Sequence, residues 1–252
     1  MDLGLKGRKV ILTGGSRGIG RAALDIFAAE GCDIAFFSRN AAQVAETVKA
    51  LEPHGGKVFG EAFDLADIEA YPAWLNRAAD ALGGCDIFVP GASASGQGAT
   101  GDWQACLDTD LRGASIGIET LQPRLEASHA AAVVLIASTA GLETFIVPQP
   151  YNALKGALIV YSGQLSQAFG PLGIRVNCVS PGPIKFAGGN WEMIQGAMPE
   201  LHDATAAQFA LGRWGAPEDV AKAVVFLASP ASGFTTGTNL VVDGGYTKRV
   251  QF

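Results

Sequence analysis

Lys9-Val10-Ile11-Leu12-Thr13-Gly14-Gly15-Ser16-Arg17-Gly18-Ile19-Gly20 is the stretch whose reading decides the fold. Val10, Ile11 and Leu12 make an apolar run long enough for a buried strand and too short for a core helix. Four glycines follow at once, then a helix-compatible run from Arg21 to Glu30. A strand that turns through glycines into a helix offers backbone N–H groups and a positive helix end to a phosphate. Glycine is required because a Cβ would block a left-handed turn or the approach of a pyrophosphate. The spacing Gly14-x-x-x-Gly18-x-Gly20 differs from the common G-x-G-x-x-G fingerprint. Alone, it is a moderate signal, with a plain glycine turn between strand and helix as the lesser alternative.

Outward from this stretch, short apolar runs alternate with longer helical patterns. Strands are expected at Lys9–Thr13, Asp33–Ser38, Lys57–Phe63, Asp86–Pro90, Ala132–Ser138, Arg175–Val179 and Asn239–Val242. Helices are expected at Gly18–Glu30, Ala41–Leu51, Ile68–Leu82, Asp102–Ala127, Pro150–Phe169 and Pro217–Ala228. Continuously apolar strands separated by helices imply βαβ units and a doubly wound, Rossmann-type parallel sheet with helices on both faces. The 252 residues suit a single α/β domain, 1–252. Two stretches interrupt the alternation: the small-residue loop Ser93–Gly101 and a long excursion from Phe186 to Gly215. The excursion carries Trp191, Met193, Ile194, Met198, Phe209 and Trp214. Ligands of open parallel sheets bind beyond the carboxyl ends of the strands, so 186–215 reads as a substrate lid or as a surface subdomain packed for stability.

Composition narrows the function classes. With 48% hydrophobic and 17% charged residues the chain is core-rich and globular. A net charge of −6 gives no support to nucleic-acid binding or to an anionic membrane surface. Apolar runs fall short of the length of a membrane span, and the N-terminus lacks the pattern of a signal peptide. Cys32, Cys85, Cys106 and Cys178, like the three histidines, are scattered without metal-ligand spacing. Buried free thiols and a cytoplasmic location are the expectation, with no metal site.

The second decisive feature is Ser138 with Tyr151 and Lys155. Ser138 ends an apolar run, and Tyr151 and Lys155 share one face at the start of a helix. A lysine ammonium beside a phenol favours the phenolate, and a nearby hydroxyl can hold a carbonyl oxygen. That is an acid/base set for moving a proton, although an exposed Tyr–Lys pair would show the same spacing.

Together these residues closely resemble the short-chain dehydrogenase/reductase family of NAD(P)(H)-dependent oxidoreductases, over nearly the whole chain. Thr13, Gly14, Gly18 and Gly20 match its cofactor motif, and Asp64 its adenine-ring contact. Ser138, Tyr151 and Lys155 match its catalytic set. Asn177-x-Val179-Ser180-Pro181-Gly182 looks like its segment near the nicotinamide, and Asp243-Gly244-Gly245 like its closing strand. The resemblance implies hydride transfer between a ketone, or a 3-oxoacyl group, and a secondary alcohol. Tyr151 would be the acid/base, Ser138 the oxygen binder and Lys155 the electrostatic and ribose contact. Cofactor contacts are then expected from Thr13, Gly14, Ser16, Arg17, Gly18, Ile19, Gly20, Ser38, Arg39, Asp64, Leu65, Gly91, Ala92, Tyr151, Lys155, Pro181, Gly182 and Ile184. Members include 3-oxoacyl-thioester reductases and steroid, sugar and general ketone reductases, and many assemble as homotetramers; a homodimer is the other option. The apolar excursion suggests an apolar or amphipathic carbonyl or alcohol substrate. An epimerase or lyase on the same frame, and a non-catalytic dinucleotide-binding regulator, are the alternatives.

The sequence departs from the family pattern twice. Pro90-Gly91-Ala92-Ser93 stands where the family has Asn-Asn-Ala-Gly, which bears on the support of the adenosine half. Asp110 stands where the family has a catalytic asparagine, as a tolerated replacement or as a change in the proton relay. At the end of the second strand, Ser38-Arg39 replaces the acidic residue that holds a ribose 2′-hydroxyl, and Arg17 sits in the glycine turn. Two guanidiniums suit a 2′-phosphate, so NADP is expected before NAD.

Overall fold

The computed structural model describes residues 2–145 and 147–250, so Met1, Ile146, Gln251 and Phe252, which the single-domain reading includes, lie outside the described residues. Seven strands are found among the described residues: β1 (Lys9–Thr13), β2 (Asp33–Ser38), β3 (Val58–Ala62), β4 (Ile87–Pro90), β5 (Ala132–Ile136), β6 (Arg175–Pro181) and β7 (Asn239–Val242). They form one sheet in the order β3-β2-β1-β4-β5-β6-β7, parallel throughout. The helices are α1 (Gly18–Ala29), α2 (Ala41–Leu51), α3 (Tyr71–Leu82), α4 (Trp103–Cys106), α5 (Gly113–Glu126), α6 (Pro150–Phe169), α7 (Asn190–Ala197), α8 (Pro199–Ala206) and α9 (Pro217–Ala228).

Side-chain alternation along each strand divides the core between the two faces. Val10, Leu12, Ile34 and Phe36 point to the face covered by α1, α2 and α9, against Leu24, Phe27, Val44, Val220 and Val224. Ile11, Phe37, Phe88, Val133 and Leu135 point to the face covered by α3, α5 and α6, against Tyr71, Trp74, Ile118, Leu121 and Leu158. Each such side chain contributes about 1.5–3 kcal/mol on full burial. Both faces are filled, which explains why the strands read as unbroken apolar runs. The chain order reverses between β1 and β4, and this switch point opens the crevice where a ligand fits.

Two helices differ from the sequence expectation. The helix expected from Ile68 begins at Tyr71, because Asp64 and Asp67 bind the N–H groups of Ala66 and Ala70 in turns before it, and Pro72 occupies its first turn. The helix expected over Asp102–Ala127 is broken by a π turn, Leu107–Arg112, between α4 and α5. Such wide turns gather at functional sites, and this one carries Asp110.

At the start of α9 the Asp219 carboxylate accepts the N–H of Ala216 at 2.9 Å and both arms of Arg213. The Arg213 bond, first, and the Ala216 N–H hold its carboxyl down at about 2. A carboxyl lowered on folding stabilises the fold above its unfolded value of 3.8, and that contribution is lost as the pH falls toward 2. Asp219→Asn is expected to cost roughly 0.5–2 kcal/mol near neutrality, toward the low end because Arg213 is exposed. Thermal melts of variant and wild type should differ near neutrality and converge as the pH falls toward 2.

Candidate active site

The glycine turn meets the geometric demands of a phosphate cradle. Gly14 and Gly18 hold φ of +78° and +56°. A Cβ on Gly20 would lie 2.2 Å from the Gly14 carbonyl oxygen. Helix α1 starts without a side-chain cap and with no acidic residue in its first turn. Its first N–H groups and positive end therefore suit an external anion. Gly91, after β4, could not bear a Cβ either, since one would lie 2.8 Å from the Thr13 carbonyl oxygen.

Along the carboxyl ends of the strands runs a cleft of ≈ 380 Å³. Of the residues expected to contact a cofactor, Gly14, Ser16, Arg17, Gly18, Ile19, Gly20, Ser38, Arg39, Asp64, Leu65, Gly91, Ala92, Tyr151, Lys155, Pro181, Gly182 and Ile184 line it. Thr13 does not. It is buried, and its hydroxyl accepts the Ala92 N–H at 3.0 Å, which makes it a strut beneath the cleft. At one end, Ser16 Oγ lies 2.7 Å from Ser38 Oγ and 3.1 Å from Gln43 Oε1. A side recess there is lined by Arg17, Ser38, Arg39, Asn40 and Gln43.

Ser138, Tyr151 and Lys155 meet at the other end of the cleft. Ser138 follows β5 and its Oγ accepts the Ala140 N–H at 3.1 Å, starting a tight turn. Pro150 begins α6, whose first turns carry Tyr151 and Lys155. The Lys155 ammonium lies 5.5 Å from the centre of the Tyr151 ring. It donates to the Ile136 carbonyl at 2.7 Å and lies 2.9 Å from Asp110 Oδ1, with both side chains almost fully buried. The other Asp110 oxygen accepts the Ala94 N–H at 2.9 Å. Burial works to push the Lys155 ammonium down, but Asp110 and Tyr151 outweigh it and hold Lys155 above the usual lysine range. A buried ammonium without a partner would cost several kcal/mol; here Asp110 and the Ile136 carbonyl both partner it. Asp110 does not line the cleft; it acts on the site through Lys155.

The excursion 186–215 is pinched at its neck, where Ile184 bridges Gly215 and Lys185 N donates to Gly215 O at 2.9 Å. It holds α7 and α8. Phe186, Trp191 and Ile194 face the cleft, as does Phe145 opposite. Trp214 collects Trp191, His202 and Phe209 at centroid distances of 5.0, 4.6 and 5.2 Å. Met193 and Met198 are exposed. Arg17 ties the excursion to the glycine turn by donating to Gly188 O at 3.1 Å.

Residues 14–247 match the family model described as Enoyl-(Acyl carrier protein) reductase. Isoepoxydon dehydrogenase of Aspergillus clavatus is 36% identical, covering 98% of each chain. The chain belongs to the short-chain dehydrogenase/reductase family. Among its relatives, the 3beta-hydroxysteroid dehydrogenase 1 of Eggerthella lenta is 34% identical over 96% of this chain and 95% of its own. The L-sorbose reductase of Gluconobacter frateurii, solved with NADPH and L-sorbose, superposes with a TM-score of 0.89 at 28% identity, covering 99% of this chain and 100% of its own. Short-chain dehydrogenases/reductases are oxidoreductases that bind a nicotinamide dinucleotide, and these relatives act between alcohols and carbonyl compounds.

The departure at Pro90-Gly91-Ala92-Ser93 has a structural account. Pro90 ends β4 opposite Thr13, past the point where the β4–β5 pairing stops at Phe88 and Val133, and the Thr13–Ala92 bond supports the loop beyond it. Asn177 does not reach the cleft; it is buried in β6, which runs on to Pro181, and its amide holds Thr235 and Thr238. Sequence reading missed a close contact between the loop after Ser138 and α6. A Cβ on Gly141 would lie 2.5 Å from the backbone nitrogen of Gly156, so the serine loop sits directly on α6 one residue past Lys155. It also missed Asn152, which lines the cleft and holds the loop after Ser138 through the Phe145 and Val147 carbonyls at 3.2 and 3.3 Å. Glycine and asparagine in a loop gave no signal of either contact.

All four cysteines are buried and unpaired. Burial, first, pushes the thiols of Cys32 and Cys178 up to about 12 and that of Cys106 to about 11, so none is a ready nucleophile. Among the described residues no helix is long and apolar enough to cross a membrane.

Proposed function

We propose that this protein interconverts a ketone and a secondary alcohol with NADP(H). The observation that supports this most is the convergence of Ser138, Tyr151 and Lys155 on the cleft that begins at the glycine cradle. When bound, the nicotinamide supplies or takes the hydride at the carbonyl carbon. Ser138 donates a hydrogen bond to the carbonyl oxygen, and Tyr151 passes its phenolic proton to that oxygen during reduction. The Lys155 ammonium stabilises the phenolate left behind. Gly14, Gly18 and Gly20 leave room for the pyrophosphate, and Arg17 and Arg39 take the 2′-phosphate.

Phe145, Trp191 and Ile194 give the substrate end an apolar wall, with Ser95, Gln149 and Asn152 as polar points. The reading is a compact amphipathic substrate, a ring carbonyl bearing hydroxyl groups before a bare alkyl ketone. Cyclic hydroxyketones, steroid ketones and keto sugars, supplied with NADPH or NADH, should show oxidation of the reduced cofactor with at least one class. Absence of turnover with every class and with the corresponding alcohols would overturn the proposal.

We read 186–215 as the lid of this site, hinged at the Ile184–Gly215 neck. Amide hydrogen exchange over 186–194 is then expected to slow on adding NADP and a substrate alcohol together. Protection already complete in the free protein would point to a static wall.

A further inference from the structure

The catalytic lysine of this chain is paired with a carboxylate. Asp110 Oδ1 lies 2.9 Å from the Lys155 ammonium, and neither side chain meets solvent appreciably. The π turn Leu107–Arg112 carries the carboxylate, and the Ala94 N–H fixes its second oxygen. Other polar or titratable groups nearby are Tyr151 and Cys178 around Lys155, and Cys106 on the neighbouring turn. Both cysteines are neutral thiols, so the pair determines the local formal charge. With an amide at position 110 the ammonium would leave this buried corner with one uncompensated positive charge. With Asp110 the corner is neutral.

That difference acts on the two redox forms of a nicotinamide unequally. The oxidised ring carries a positive charge and the reduced ring carries none, while the phosphates, ribose units and adenine are common to both. We infer that Asp110, by cancelling the charge of Lys155, tilts the bound cofactor toward its oxidised form. The inference rests on the reading that the nicotinamide end of the cofactor lies beside Tyr151 and Lys155. Asp110 is thus a positioning and tuning residue that acts through Lys155. Its effect is to ease the departure of hydride from the reduced cofactor in ketone reduction, at the cost of tighter retention of the oxidised product.

The ratio of the dissociation constants of NADP⁺ and NADPH isolates this effect, because contacts common to both forms cancel. The probes are NADP⁺ and NADPH, titrated by calorimetry against the full chain and Asp110→Asn at about pH 6, well below the usual lysine range, where the bond to the Ile136 carbonyl still favours the ammonium without its carboxylate. Asparagine keeps the shape and an acceptor for Ala94. A unit charge about 8 to 16 Å from the ring, at an effective dielectric constant of about 20, changes affinity by roughly fivefold to thirtyfold. Asp110→Asn is therefore expected to raise the NADP⁺/NADPH dissociation-constant ratio by that factor, through weaker NADP⁺ binding. Asp110→Ser is measured alongside, with thermal melts of both, so that poor folding of one variant leaves the other to decide. A ratio unchanged in a folded variant, with both forms still bound, overturns the Asp110 inference and leaves the oxidoreductase reading standing. Failure of the wild type to bind either form overturns both.

Discussion

Tyr151→Phe is expected to lower kcat for ketone reduction by at least about a hundredfold, the usual loss when a general acid/base is removed, while leaving cofactor affinity near that of the wild type. The substitution deletes one oxygen and keeps the ring that packs at the start of α6. Lys155 keeps its contacts to Asp110 and the Ile136 carbonyl, since neither passes through the phenol oxygen. The two readouts therefore separate. If Tyr151 only shaped the cleft, phenylalanine would serve almost as well and kcat would hardly move. If it contributed mainly to binding, KM and the cofactor dissociation constant would rise while kcat stayed. Ser138→Ala should also lose rate, because the substrate oxygen loses a donor in a partly dry site. The double variant should fall little below the worse single one, as residues acting on one oxygen are not additive. Near-wild-type kcat in a folded Tyr151→Phe protein, with an unaltered melt, would remove Tyr151 from the chemistry.

What the sequence conveyed best was whatever local chemistry alone dictates. β1, β2 and β7, together with α2, α6 and α9, stand at the residues read from apolar runs, proline starts and turn glycines. Those signals are local, so tertiary contacts had little to override. β3 came out one residue shorter at each end than Lys57–Phe63, although the Lys57 carbonyl and the Phe63 N–H still bond to β2 at the sheet edge. The site was legible where a motif has fixed spacing within one element, as with Tyr151 and Lys155, or where glycine has a steric reason, as at Gly14, Gly18 and Gly20. It was not legible where meaning came from distant partners. The apolar periodicity runs unbroken through 102–127, and nothing in it marks the π turn that carries Asp110 toward Lys155. Gly141 looks like any loop glycine until α6 is laid against it. Thr13 belongs to the cofactor motif by position, yet its hydroxyl is spent on Ala92.

The proposed preference for NADP rests on one exposed side chain, and Arg39→Ala tests it. Ser38 ends β2 where a carboxylate would otherwise meet a ribose hydroxyl, and a serine neither demands that hydroxyl nor repels a phosphate. Asn40, next in line, is already spent on capping α2 through the Gln43 N–H at 3.0 Å. Arg21 and Arg213 are committed to Asp25 and Asp219, whereas Arg39 has no such ion pair among the described residues. It therefore enters a complex without first giving up a partner. A charge-assisted bond to a phosphate contributes about 1.5–3 kcal/mol, so Arg39→Ala should weaken NADP binding by roughly tenfold to a hundredfold. NAD has a hydroxyl in place of the phosphate, and its affinity should change by less than about threefold. The NADP loss should shrink as salt rises, because Arg39 is exposed and its field is screened over about 10 Å at 0.1 M ionic strength. Arg17→Ala would be less selective, since that guanidinium also holds Gly188 of the excursion and its loss disturbs the cleft for both cofactors. Titrations of NADP and NAD against wild type and both variants, at low and at high salt, decide the matter. Equal weakening of the two cofactors in Arg39→Ala, or a wild type that binds NAD more tightly than NADP, would show that the recess beside Ser38 does not hold a phosphate.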